Sequence, residues 1–297
     1  MDQYRGRLAP SPTGPLHFGS LVAAVGSYLE AKSRGGAWLV RMEDLDPPRE
    51  QPGAADAILR TLEACGMGWD GDIMYQSRRS EAYRAALMRL EAQGLIYVCG
   101  CSRREIADSG LGPDSALIYP GTCRNGLAPG KTPRATRVRV EHEMIEFEDA
   151  LQGKIRQDLA AEVGDFVLLR ADGLYAYQLA LVVDDAEQGI TDVVRGADLL
   201  DSTSRQIYLQ RRLGLSMPRY LHLPAAVNAA GEKLSKQTLA APVDARNPVP
   251  VLAQVMDFLG QAPPAHLRRA TLTEFWRWAF AHWDTKHIPR RRSLLPP

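Results

Sequence analysis

Arg7-Leu8-Ala9-Pro10-Ser11-Pro12-Thr13-Gly14-Pro15-Leu16-His17-Phe18-Gly19-Ser20 is the stretch whose reading decides the fold. Two prolines and a glycine within Ala9 to Gly14, followed at once by Pro15, specify a rigid turn, because proline fixes φ and glycine relaxes it. A strand-like run, Arg5 to Ala9, enters the turn. Leu16 to Lys32 leaves it with helical character, and Gly35-Gly36 supplies a stop. Ala37 to Met42 (AWLVRM) is strand-like again. Strand, glycine-containing turn, helix and strand open a βαβ unit, so the expected fold is α/β with a parallel sheet.

Further along, Ala54 to Cys65 and Ser80 to Gln93 carry apolar residues at helical spacing. From about Tyr97 the pattern breaks into a cysteine-containing loop, a Gly/Pro-rich stretch from Gly110 to Lys131 and alternating residues Ala135 to Val140. This predicts an insertion between two halves of the sheet. Phe166 to Tyr177 reads as a hairpin around Asp172-Gly173, with Tyr175 and Tyr177 on one strand face. Thr191 to Val194 reads as a strand, Asp198 to Leu213 as a helix, and Pro248 to Trp283 as mostly helical. The organisation expected is residues 1–96 and 166–237 as two halves of a catalytic domain. Residues 97–165 form the insertion, and 238–297 a helical end.

A second short motif, Lys233-Leu234-Ser235-Lys236-Gln237, follows Asn228-Ala229-Ala230-Gly231. Two lysines three apart on a loop suit neutralisation of a leaving polyphosphate. In the first stretch, Gly14 and Gly19 permit close backbone approach, and the helix starting near Phe18 aims unpaired N–H groups at anions. His17 can donate to a phosphate oxygen in a transition state. Either motif alone is weak; both in one chain, in this order, are not.

Together the motifs resemble the two ATP signatures of the class I glutamyl-tRNA synthetase family, over about Arg5 to Gln237. Ser20 stands where a second histidine is typical, and Gln237 where a serine is typical. The resemblance implies a Rossmann-like catalytic domain that joins glutamate to ATP without a covalent enzyme intermediate. It implies ATP contacts at His17, Gly19, Ser20 and Lys233, Leu234, Ser235, Lys236, Gln237, with His17, Lys233 and Lys236 catalytic. It implies glutamate contacts at Arg7, Leu8, Ala9, Pro10, Ser11, Glu43, Tyr177 and Arg195. Chemistry agrees: an arginine fork recognises the γ-carboxylate, assigned here to Arg195, and an anion, Glu43, faces the α-ammonium. Asp184-Asp185 match the family and are read as supporting the fold. Mg²⁺ is expected with ATP on chemical grounds.

Cys99, Cys101 and Cys123 lie within 25 residues, a clustering that favours metal over disulfides in a cytosolic chain. Three thiolates fill three corners of a tetrahedral zinc site, and no histidine or fourth cysteine lies near. The resemblance to a short branch of the family points to Tyr119 as the fourth ligand of one structural zinc. Cys65 is read as core.

Residues 238–297 are too few for the anticodon-reading region of a full glutamyl-tRNA synthetase. The chain therefore resembles the short branch, the glutamyl-queuosine tRNA(Asp) synthetases, which glutamylate the cyclopentene-diol of queuosine at the wobble position. The implied partners are ATP, L-glutamate and queuosine-containing tRNA(Asp). Alternatives are a compact enzyme charging tRNA(Glu), a small-molecule nucleotidyltransferase, and a catalytically silent RNA-binding relative. Net charge is +1, which gives no general argument for nucleic acid. Local basic clusters at Lys131, Arg134, Arg137 and Arg139, at Arg268-Arg269, and at Arg290 to Arg292 can hold phosphates. No apolar leader or membrane-length run is visible, so a cytoplasmic monomer is expected.

Overall fold

A computed structural model describes residues 3–102, 104–106, 118–234 and 241–297. β1 (Arg5–Leu8), β2 (Ala37–Met42) and β3 (Met74–Tyr75) pair in parallel, in the order β1-β2-β3. The first crossover is α1 (Phe18–Ser33), and the second contains α2 (Ala54–Ala64). α3 (Ser80–Ala92) leads into β4 (Ile96–Cys99), which pairs antiparallel with β5 (Ala135–Val138). β6 (Met144–Asp149) and β7 (Gly153–Asp158) form a hairpin, and a single turn, α4 (Leu159–Glu162), precedes β8 (Val167–Leu169). β8 pairs with β5.

After α5 (Tyr177–Glu187) the parallel pattern resumes. β9 (Asp192–Gly196), α6 (Thr203–Leu213) and β10 (Arg219–Leu223) make a second βαβ unit, with β9 and β10 paired in register. β9 lies beside β1: Thr191 N–H donates to the Arg5 carbonyl at 2.9 Å, and Arg5 N–H to the Thr191 hydroxyl at 2.9 Å. Strand succession thus runs one way from β1 to β3 and the other way from β9 to β10. The gap between β1 and β9 is the topological switch point, where open α/β sheets bind ligands at the strand carboxyl ends.

Both faces of this sheet are covered, as parallel strands require. Leu21, Val25 and Leu29 of α1 pack in one core with Leu252 and Met256 of α7 (Val249–Phe258) and Phe275 of α8 (Leu272–His282). Tyr83 and Leu90 of α3 join Leu179 and Val182 of α5 and Ile207 of α6 in the other. Cys65 is fully buried in the first, as read from sequence.

Three features differ from the sequence pattern. Tyr177 opens α5 instead of continuing a hairpin strand. Only one bridge, Leu169 to Tyr175, forms beyond the Asp172-Gly173 turn, and the N–H groups of Leu179 and Ala180 turn back to the Ala176 carbonyl. The apolar run Leu179 to Val182 gains more by burying a helical face than by extending the hairpin. β6, inside the expected insertion, pairs with β10 of the second catalytic half. Finally, β12 (Ser293–Leu294) returns to pair with β11 (Ala225–Ala226), a contact no local pattern announces.

Candidate active site

A cavity of about 610 Å³ opens at the switch point, lined from the carboxyl ends of β1, β2 and β9 and from the Lys233 loop. Arg7, Leu8, Ala9, Pro10, Ser11, His17, Gly19, Ser20, Glu43, Tyr177, Arg195, Lys233 and Leu234 all line it. Ser235, Lys236 and Gln237 lie outside the described residues.

Its floor is ionic. Arg7 donates through Nε and Nη2 to the two Asp185 oxygens at 3.1 and 3.3 Å. Arg41 reaches the same carboxylate at 2.8 Å, Glu43 at 3.5 Å and the Gln188 amide oxygen at 2.7 Å. Burial pushes the Asp185 carboxyl up, but the Arg7 and Arg41 cations outweigh it and hold the group below the usual carboxylate value. Asp184 accepts from Arg79, Gln76 and Tyr83 at 2.7–2.8 Å. Both aspartates therefore anchor the floor, the supporting role expected of them. Removing Asp185 would strand the buried charges of Arg7 and Arg41, at a cost of about 3–5 kcal/mol.

Glu43 is treated differently. Burial drives its carboxyl up to about 7, against the pull of Arg41 and Arg7. The Tyr177 hydroxyl is pushed up to about 12, by burial first and then by Glu43, and stays a neutral donor. Arg195 sits opposite, 5% exposed. Its Nη1 lies 3.5 Å from the Tyr177 hydroxyl, while Nε and Nη2 are taken by buried neutral groups.

At the α1 end of the cavity, His17 caps the helix. Its Nδ1 accepts from the Ser20 N–H at 3.4 Å, and the Ser20 hydroxyl accepts from the His17 N–H at 2.8 Å. This reciprocal cap gives the Ser20 hydroxyl a structural role at the start of α1. The first turn of α1 carries no acidic residue, so its positive end is not neutralised from within. A Cβ on Gly19 would sit 3.3 Å from the His17 ring and 3.4 Å from the Leu234 carbonyl oxygen. Glycine thus lets the two motifs, more than 200 residues apart, touch. Leu234 N–H donates to the Ala226 carbonyl at 2.8 Å, and β12 pins β11 from the far side. Lys233 forms an ion pair with Asp198 at the cavity.

Residues 3–248 match the catalytic domain of the class I tRNA synthetases (E and Q). The glutamyl-Q tRNA(Asp) synthetases of Aromatoleum aromaticum and Chromobacterium violaceum are each 59% identical to this chain. They cover 99% of it, and it covers 93% and 98% of them. The chain belongs to the glutamyl-Q tRNA(Asp) synthetase family. The glutamate-tRNA synthetase of Elizabethkingia anophelis superposes with a TM-score of 0.81 at 25% identity. That match covers 98% of this chain and 67% of the larger one.

The chain also carries a cysteine centre. The Cys99, Cys101 and Cys123 sulfurs lie within 4.8 Å of one another, and no disulfide joins them. Cys101 and Cys123 sulfurs are 3.6 Å apart, and the Tyr119 hydroxyl is 3.3 Å from Cys99 and 3.7 Å from Cys101. Tetrahedral zinc with thiolates near ~2.3 Å and oxygen near ~2.0 Å has sulfur–sulfur edges of ~3.8 Å and sulfur–oxygen edges of ~3.5 Å. The Cys101–Cys123 distance and the two Tyr119 distances lie close to those edges. Burial pushes the Cys99 thiol up, but donation from Tyr119, the Cys101 backbone and Arg137 brings it down to about 7.

Arg137, read as part of a basic cluster, is 8% exposed. Its guanidinium stacks 3.9 Å over the Tyr119 ring and donates to the Asp165 carbonyl at 2.8 Å. It is not available to a phosphate. Arg139 likewise covers the Tyr97 ring. Among the described residues, no helix is long and apolar enough to cross a membrane.

Proposed function

We propose that this chain condenses L-glutamate with ATP and transfers the glutamyl group to the cyclopentene-diol of queuosine at the wobble position of tRNA(Asp). A glutamate α-carboxylate oxygen attacks the α-phosphorus, the bond to the β-phosphate oxygen breaks, and pyrophosphate leaves. A diol hydroxyl then attacks the acyl carbon, AMP departs, and the hydroxyl proton passes to solvent. The observation that carries the reading is one cavity at the switch point. It brings Arg195, Glu43 and Tyr177 together with His17, Gly19, Ser20 and Lys233, the residue types that a carboxylate, an ammonium and a polyphosphate would need. End-to-end likeness to glutamyl-Q tRNA(Asp) synthetases supports the choice of acceptor.

Arg195 receives the γ-carboxylate and Glu43 the α-ammonium, while Arg7, Tyr177 and the Leu8 to Ser11 backbone frame the substrate. His17, Lys233 and Lys236 hold the phosphates, with Gly19, Ser20, Leu234, Ser235 and Gln237 shaping their seat. Catalysis is positioning and charge stabilisation, so no side chain needs to form a bond to substrate. Mg²⁺ accompanies the triphosphate and neutralises its charge. A vicinal diol on a splayed wobble base resembles the terminal ribose diol, and single-stranded loops present their bases outward. Glutamate-dependent ATP–pyrophosphate exchange tests the activation half; exchange that ignores glutamate would refute it.

Glu43 gives the exchange reaction a pH signature. Its raised pKa favours the protonated carboxyl in the fold. That contribution to stability is present below the ordinary value of 4.5 and is lost as pH rises through about 7. An arriving ammonium favours the opposite, ionised form. Glutamate KM should therefore fall as pH rises between about 6 and 8. Glu43→Gln should raise KM and flatten that profile; an unchanged profile in the variant would remove Glu43 from the ammonium site.

Cys99, Cys101, Cys123 and Tyr119 would hold one zinc, whose role is to pin the insertion. Cys101→Ser should lower zinc per chain, read by atomic absorption after dialysis, and lower Tm. Full zinc retention would contradict the assignment.

A further inference from the structure

Behind Arg195 lies a buried polar row that the reaction itself does not use. His222 on β10 is fully buried, and Asp149 at the end of β6 is 1% exposed. Arg195 Nε donates to His222 Nε2 at 3.0 Å, and His222 Nδ1 lies 2.6 Å from Asp149 Oδ2. Arg195 Nη2 is tied by Thr203 Oγ1 at 2.9 Å and Gln206 Oε1 at 2.7 Å. Only Nη1 is left for the cavity side, against Tyr177.

We propose that Asp149 and His222 are positioning residues that set glutamate specificity by fixing the histidine tautomer, which in turn fixes the rotation of the Arg195 guanidinium. The inference rests on Arg195 being the glutamate-binding arginine. Arginine is never an acceptor, so His222 Nε2 must carry no proton, and the single imidazole proton stands on Nδ1. A carboxylate facing Nδ1 enforces that choice, since it can only accept. Asp149 is itself locked: its Oδ1 accepts the N–H groups of Leu151, Gln152 and His222 at 3.1, 2.8 and 3.2 Å. The charged groups facing His222 are Asp149, Arg195 and, from β1, Arg7. Burial, opposed by Asp149 and reinforced by the two arginines, keeps the ring below the ordinary histidine value and neutral.

The locked Oδ1 makes Asp149→Asn decisive. The asparagine oxygen must stay with the three N–H groups, so its NH₂ replaces Oδ2 and donates to His222 Nδ1. The ring proton is then forced to Nε2, where it confronts the Arg195 Nε–H. Two donors then face each other; Thr203 Oγ1, 3.3 Å from Nε2, can take the ring proton, but the Arg195 Nε–H loses its acceptor and the guanidinium is no longer held in place. His222→Gln is the milder change, since its amide oxygen can take over the Nε2 acceptor position.

The test is steady-state ATP–pyrophosphate exchange with the full chain, varying glutamate and ATP separately. Asp149→Asn should raise glutamate KM about tenfold or more while ATP KM stays within about twofold, and His222→Gln should recover part of the loss. Equal glutamate KM in Asp149→Asn and the parent would overturn the proposal, as would parallel rises in both KM values. Arg195→Ala run alongside separates the two ideas. A normal glutamate KM there refutes the pocket reading, whereas a raised one with normal Asp149→Asn refutes only the relay. If Asp149→Asn does not fold, ¹⁵N-histidine spectra of the unmodified protein decide. A His222 ring protonated on Nδ1 alone is expected, and a proton on Nε2 overturns the relay.

Discussion

Arg195→Ala is expected to lower kcat/KM for glutamate in ATP–pyrophosphate exchange by about 10²–10³-fold, with ATP binding little changed. Withdrawing the cation leaves the incoming γ-carboxylate desolvated and unpaired in a buried site, a penalty of about 3–4 kcal/mol. The fold should survive. The groups that bond Arg195 directly, His222, Thr203, Gln206, Tyr177 and the Leu199 carbonyl, are all uncharged, so no counter-ion is stranded. The contrast is Arg7, whose removal would strip a bidentate partner from buried Asp185 and destabilise the floor itself. Circular dichroism and Tm of the two alanine variants would separate these roles. Unchanged exchange in Arg195→Ala would remove that residue from the pocket.

His17→Asn should lower kcat for exchange by about 10²–10³-fold, the usual loss when one preorganised transition-state donor is removed. Asparagine is among the preferred N-cap residues, so α1 keeps an acceptor for the Ser20 N–H and stability is nearly preserved. His17→Ala would lose the cap as well, about 1 kcal/mol, and so confound packing with chemistry. Retained kcat in the asparagine variant would leave His17 as a cap and nothing more.

The parts of this molecule legible in sequence are those whose cause is local. The proline-glycine turn after β1, the stop at Gly35-Gly36 and the apolar pattern of β2 each force their own conformation, and the structure follows them. Asp184 and Asp185, read as supporting the fold from their match to the family, are engaged by Arg79, Gln76 and Tyr83 and by Arg7 and Arg41 respectively, long-range partners that no local pattern announces. Tyr177 misled because its neighbours alternate like a strand, whereas burial of Leu179 to Val182 favours a helix. Arg137 misled because charge density along the chain says nothing of a stacking partner in the fold. The Asp149–His222 pair was invisible for another reason. It joins two strands 73 residues apart, and its signal, a histidine inside the apolar strand Arg219–Leu223, gains meaning only with the partner in place. The pairing of β11 with β12 is likewise long-range and rests on backbone bonds that any residues can make.

The most direct measurement is transfer of radiolabelled glutamate to tRNA(Asp) bearing queuosine, to tRNA(Asp) lacking it, and to tRNA(Glu). Labelling of the queuosine-containing tRNA(Asp) alone is the predicted result. Labelling of tRNA(Glu) would make the protein a compact charging enzyme and contradict the account.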